Sequence, residues 1–270
     1  MRTGNEDPKR STERHALLEI PGHAYFALTR AKRSECEVTS IARLSRLGNK
    51  APRCYKYLGK TLALLDQIAC CVWGCPETEE GHVLHRLIGR GVSNGNAGVQ
   101  LALTGQYDES LASARAIGEI ANLLWLFSID HQTLEKWQSL EPRVRWSTFR
   151  PAEVRKKIEA KGQPLLVQES EYRLLSEHGV HVTPTTSPNT VGFHDRPSLG
   201  GVYREDAFLV CINEIAWAVG VLSLPSVNLL GSGNGARMIR KTTRTLLQNV
   251  GGARISQIPE ISTSTGTRSS

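Results

Sequence analysis

Apolar residues recur along most of this chain at helical spacing. Leu58, Leu62, Leu65, Ala69 and Val72 follow one another in alternating steps of four and three, one stripe of an amphipathic helix that begins near Pro52. Gly74 and Pro76 close it. A second helix is predicted from about Glu77 to Thr104, with Leu84, Leu87, Ile88 and Leu101 on its apolar side. Gly91, Gly95 and Gly98 lie within it and disfavour a helix in isolation, so they predict either a close helix–helix approach or a break near Ser93–Asn96. Gly105 stops this helix. Asp108 is expected to cap the next, which runs to about Ile129 with Leu111, Ile117, Ile120, Ala121 and Leu124 inside. Asp130 starts a short helix that ends at Pro142, and Pro151 suits the first turn of another that Gly162 ends. A helix from about Leu165 carries Tyr172, Leu175 and Ser176 before Gly179. Prolines and glycines make 182–203 a long loop. An apolar helix over 204–224, ended by Pro225, and a last helix over 234–250 follow. No run alternates as a strand would. The fold class is all-α, a helical bundle.

The ends read differently. Residues 1–50 form a mostly disordered basic segment with short helices near Glu13–Ile20 and over 36–50; residues 51–250 form the bundle domain; residues 251–270 are a disordered Ser/Thr-rich tail. With 270 residues, 40% hydrophobic and 22% charged, the chain has enough apolar material for a core, and collagen-like, wholly disordered and disulfide-scaffold classes are excluded. Aromatic residues at 6% disfavour a sheet packed on aromatic pairs.

The formal net charge of +7 is unevenly placed. Residues 1–60 hold 13 Lys/Arg against 6 Asp/Glu, residues 141–162 hold 7 against 3, and residues 234–270 hold 6 against 1. The stretches between are acidic. Such a distribution permits a polyanionic partner, RNA among them, without requiring one.

No apolar signal segment follows the polar residues 1–14, so a cytoplasmic location with reduced thiols is expected. Cys70, Cys71 and Cys75 lie near His82 and His85, but a structural zinc site wants two ligand pairs, and no second pair of suitable spacing stands out. No metal or cofactor is expected. Residues 207–224 are almost long enough to span a bilayer. Asn213 and Glu214 interrupt their middle, which favours a buried core helix; membrane association through this segment is the lesser alternative.

The segment Tyr172–Pro184, YRLLSEHGVHVTP, is the richest in chemistry. On a continuous helix, Arg173, Glu177 and His181 fall at i, i+4 and i+8, with His178 sharing part of that face. A permanent cation, a carboxylate and imidazoles are what metal-independent RNA cleavage uses: a base for the 2′-OH, an acid for the leaving oxygen and a cation for the phosphorane. The same residues also suit a solvated helix end with an ordinary ion pair. Arg115 and Glu119, one turn apart in an apolar helix, read as a partly buried structural pair, or as a partner for Tyr172 or a histidine from the other helix, ahead of direct catalysis. In 143–157, Arg143, Arg145, Arg150, Arg155, Lys156 and Lys157 interleave with Trp146 and Phe149. Either the cations hold phosphates while the aromatics stack bases, or the aromatics staple a helix start to the core. Gly231–Gly235 lacks the lysine and spacing of a phosphate loop and reads as a linker.

GQYDESLASARAIGEIANLLWL, followed some way on by EYRLLSEHGVHVTP, resembles a family of helical bacterial proteins related to the HEPN (higher eukaryotes and prokaryotes nucleotide-binding) group. Arg115, Glu119, Tyr172, Leu175, Ser176 and His181 carry the likeness, which spans residues 54–230. It implies a helical bundle, often a homodimer, that engages RNA in stress response or defence. Active HEPN members cleave RNA without metal through an Arg-x4-6-His motif facing its copy across the dimer. Arg173 and His178 have that spacing, with Leu174 where a polar residue commonly stands. On this reading Arg173 stabilises phosphate, His178 or His181 moves protons, Glu177 and Tyr172 orient them, and Arg115, Glu119 and Ser176 give support. Arg143, Arg145, Trp146, Arg150, Arg155 and Lys156 hold RNA. Inactive relatives serve as binding or assembly domains, so a non-catalytic interaction module is the rival reading.

Overall fold

A computed structural model describes residues 22–72, 74–181, 201–229 and 234–251. Among them every regular element is a helix: α1 (Gly22–Leu44), α2 (Lys50–Ala69), α3 (Glu79–Leu103), α4 (Tyr107–Ile129), α5 (His131–Ser139), α6 (Pro142–Thr148), α7 (Pro151–Ala160), α8 (Glu169–Gly179), α9 (Glu205–Leu229) and α10 (Asn234–Asn249). The expected helix near Glu13–Ile20, most of the 182–203 loop and the tail beyond 251 lie outside the described residues.

The apolar helix α9 is the axis of the bundle and packs against α2, α3, α4 and α10. By length and composition it could cross a membrane, yet 78% of its most apolar window is buried inside the bundle. The two polar residues in its middle are buried as well. Asn213 accepts hydrogen bonds from the Cys54 thiol (3.8 Å) and the Gly251 N–H (3.0 Å). Pro225 does not end α9, which continues to Leu229. A proline inside a helix removes one N–H and crowds the preceding turn. Here the neighbouring Ser223 and Ser226 hydroxyls bond helix carbonyls of Gly220 and Leu222 (2.7 and 2.8 Å), and the segment is buried, so packing carries it through.

The glycines of α3 mark a close approach and not a break. Leu222, Val219 and Ile215 of α9 fill the space beside Gly91, Gly95 and Gly98, where a Cβ would stand within about 2.3–3.3 Å of them. α4 opens with Asp108 and Glu109 in its first turn, favourable to the helix dipole, and Gln106 takes the cap position expected of Asp108. Gly22–Leu44 forms a helix of 23 residues where the sequence predicts little order before residue 36. It lies against α3, tied by the Ser40 hydroxyl donating to Leu103 O (2.9 Å), and leaves Phe26, Val38 and Ile41 exposed. A short helix, α6, also occupies the basic stretch after Pro142; it buries no residue.

α8 is placed by two side chains of α4. Buried Asn122 donates to Val167 O (3.0 Å) and accepts from the N–H groups of Leu166 (3.1 Å) and Val167 (3.2 Å). Trp125 donates to Pro164 O (3.0 Å). The chain then turns into α8 through a capping box of Gln168 and Glu171. At its far end Gly179 meets the backbone of α4 so closely that a Cβ would lie 2.7 Å from Ala112 N.

Candidate functional site

This crossing sets two helical pairs against each other, Arg115 and Glu119 on α4 and Tyr172 and Ser176 on α8. Each pair is one turn apart, so both members face the same way. Arg115 Nε donates to Ser176 Oγ (2.9 Å), and its Nη2 donates to the Tyr172 hydroxyl. That hydroxyl donates to Glu119 Oε1 (2.9 Å), and Arg115 pairs with Glu119 at 3.0 Å. The Ser176 hydroxyl completes the set by donating to Tyr172 O (2.7 Å). Burial, and then the Glu119 carboxylate, push the Tyr172 phenol up against the opposing pull of Arg115, so it remains a neutral donor.

The Tyr172 ring also lies under two guanidinium groups, Arg115 at 4.5 Å and Arg155 at 4.9 Å from its centroid. Arg155, on α7, is only 8% exposed, and its ion pair with Glu169 is long, at 3.9 Å. Buried guanidinium charge ordinarily comes with close anionic partners.

Beside this cluster opens a cavity of about 390 Å³. Glu119, Tyr172 and Arg155 lie along it, and Trp137, Arg145, Trp146, Phe149 and Arg150 form further wall. The structure divides the two aromatics of the basic segment. Phe149 is buried as a staple, whereas Trp146 is 73% exposed. Arg145 donates to Gln138 O (3.0 Å) and Leu140 O (2.6 Å) at the end of α5 and lies over the Trp137 ring at 5.3 Å. Its buried Nε has no hydrogen-bond partner among the described residues. Arg150 and Lys156 both reach Glu153, at 3.1 and 3.2 Å, and hold its carboxyl below the usual range. Arg143 is exposed.

The remaining candidates lie elsewhere on α8. Arg173 and Glu177 approach to 4.0 Å with side chains 72% and 51% exposed, and His178 is exposed. α8 ends at Gly179, and the His181 N–H turns back to Ser176 O (2.8 Å), so His181 does not continue the Arg173–Glu177 stripe. Arg173 and His178, five residues apart, project roughly 140° apart around a regular helix. None of these four lines the cavity. The structure therefore brings Tyr172, Arg115, Glu119 and Ser176 together with Arg145, Trp146, Arg150 and Arg155, but leaves Arg173, Glu177, His178 and His181 outside.

Sequence reasoning did not single out Trp137 or the burial of Arg155. Trp137 follows Leu134 at i+3, a core-facing signal, and Arg155 stands three residues before buried Ile158. No cluster of three or more His, Cys, Asp or Glu suited to a metal ion occurs among the described residues. The chain matches no family model, and no curated protein and no solved structure is significantly similar to it.

Proposed function

We propose that this chain is a HEPN-like, RNA-engaging helical-bundle protein whose contact site is the cavity beside Tyr172. The observation that carries this reading is an exposed Trp146 at a cavity walled by Arg145, Arg150 and Arg155. Trp146 offers a stacking surface for an unpaired base, and the three guanidinium groups suit its flanking phosphates. Glu119, already holding Tyr172 and Arg115, is the acceptor available to a base amino group or a ribose 2′-OH. Arg115 and Ser176 are positioning residues in this scheme, acting through Tyr172. A stress-response or defence role is what the family resemblance implies.

Binding is tested by fluorescence anisotropy with labelled single-stranded RNA and matched DNA. Arg155→Met is expected to weaken binding across sequences and to lower the salt slope by about 0.7 for the lost phosphate contact. No RNA binding at low salt up to about 100 µM protein would overturn the reading and leave a helical assembly module.

Endoribonuclease activity is the second reading, motivated by the solvent-facing Arg173 and His178. In this reading the active unit is a homodimer with motifs from two copies meeting, as the family resemblance implies. Cleavage of RNA in chelator to 2′,3′-cyclic phosphate ends, lost in both Arg173→Ala and His178→Ala, is the expected result. Intact RNA with a monomeric protein by light scattering would remove it while leaving binding untouched.

A further inference from the structure

The thiols between α2 and α3 take no part in the cavity. α2 ends in a Schellman turn, with the Cys71 N–H donating to Ile68 O and the Val72 N–H to Gln67 O, both at 2.9 Å. Cys71 stands at the left-handed position of this turn, with φ 58°. Glycine ordinarily fills that place, because a Cβ there crowds the backbone. A side chain retained in such a conformation points to a use for it. The Cys71 Sγ lies 3.6 Å from Nδ1 of His85, in the second turn of α3. The next turn is closed by the Gly74 N–H donating to Cys71 O (3.1 Å) and brings Cys75 back to neighbour Cys71. Cys75 is exposed and Cys71 half-exposed, so a small solute reaches both.

We propose that Cys71 and Cys75 form a dithiol site that reduces small-molecule disulfides of the glutathione class, with His85 as the base for Cys71. The imidazole Nδ1 takes the Cys71 proton, and the thiolate attacks one sulfur of the soluble disulfide. The S–S bond of that molecule breaks, a mixed disulfide forms on Cys71, and the expelled thiolate recovers the proton from His85. Cys75 then gives its proton to the imidazole and attacks Cys71 Sγ. The intramolecular disulfide closes and the second small thiolate leaves with that proton. Two protein thiols are oxidised and one soluble disulfide is reduced to two thiols, so atoms and electrons balance. The titration directions keep both groups neutral at rest. The neighbouring Cys75 thiol, then burial, push the Cys71 thiol up, so it needs a base. Burial, then His82, hold His85 below its ordinary value, leaving a neutral imidazole to serve as one.

The test uses the full-length reduced protein, oxidised glutathione and acid-quenched peptide mapping. The expected product is a Cys71–Cys75 crosslink. Cys75→Ser should stop at the mixed disulfide on Cys71, and His85→Ala should slow loss of the Cys71 thiol by at least about tenfold. Cys71→Gly, which suits the left-handed turn and so keeps the fold, should form no crosslink. A wild-type protein that accumulates mixed disulfide without closing, links Cys75 to Cys70, or reacts at Cys71 no faster than at Cys70 would overturn the proposal. An unchanged rate in His85→Ala would remove the base.

Discussion

The Tyr172 hydroxyl stands between the two charges of α4, donating to Glu119 at 2.9 Å and accepting from Arg115. One phenol thus serves a carboxylate and a guanidinium that are themselves paired and only about a quarter exposed, at 22% for Arg115 and 32% for Glu119. Tyr172→Phe keeps the ring under both guanidinium groups and removes only the hydroxyl. It is expected to cost roughly 1–2 kcal/mol in urea denaturation, because two half-buried charged groups each lose a hydrogen bond. The loss should shrink in a Glu119→Gln background. Equal losses in both backgrounds would mean that the hydroxyl does not act through the carboxylate.

Trp146 and Phe149, three residues apart, should separate binding from stability. Trp146→Ala is expected to weaken RNA binding by about 1–3 kcal/mol, the worth of one stacked base, with denaturation unchanged. Phe149→Ala removes a buried ring and should cost roughly 3–5 kcal/mol of stability. Anisotropy and urea titration on the two variants check the contrast.

Two glycine substitutions should have opposite signs. At Gly59, on the exposed side of α2, a Cβ meets nothing within 4 Å, so Gly59→Ala should add about 0.5–1 kcal/mol of stability. At Gly179 a Cβ would press on backbone atoms of α4, 2.7 Å from Ala112 N and 2.9 Å from Asp108 O. Backbone cannot step aside as a flexible side chain can, and Gly179→Ala should cost about 1–3 kcal/mol while weakening the Tyr172–Glu119 contact. Thermal melts give the signs.

Much of this architecture is written in local spacing. The stripes of α2, α3 and α4 emerge from steps of three and four with glycine stops, and the Arg115–Glu119 and Tyr172–Ser176 pairs follow from helical repeat. α1 is hidden because its charges are mixed and most of its apolar residues stay exposed. The passage of α9 through Pro225 depends on burial, which a proline rule applied along the chain does not contain. Arg155 over Tyr172 joins residues on separate helices, so no spacing within either one announces it. The division between Trp146 and Phe149 is equally tertiary: the segment offers both rings, and only the packing of α6 and α7 decides which is covered.

Alkaline pH should loosen the entry into α9. Buried Tyr107 donates to Val202 O (3.2 Å) and accepts from the Arg204 N–H (2.9 Å). Burial pushes its phenol above the ordinary value of 10.0, against the lowering effect of the Arg204 N–H. The ionised form is the one the fold disfavours. This contribution is therefore complete below pH 10.0 and is lost as pH climbs through the raised folded value. Tyr107→Phe should be less stable at pH 7 by about 1–3 kcal/mol and show a shallower alkaline decline, followed by urea midpoints across pH.

Asn122 reaches from the interior of α4 to grip Leu166 and Val167, so the wall that carries Tyr172 is anchored to the bundle and not to the surface loops around it. Occupancy and cooperative unfolding are thereby coupled. An oligonucleotide seated there should raise the melting temperature of the whole molecule, and Asn122→Ala should sever that linkage even where some affinity survives.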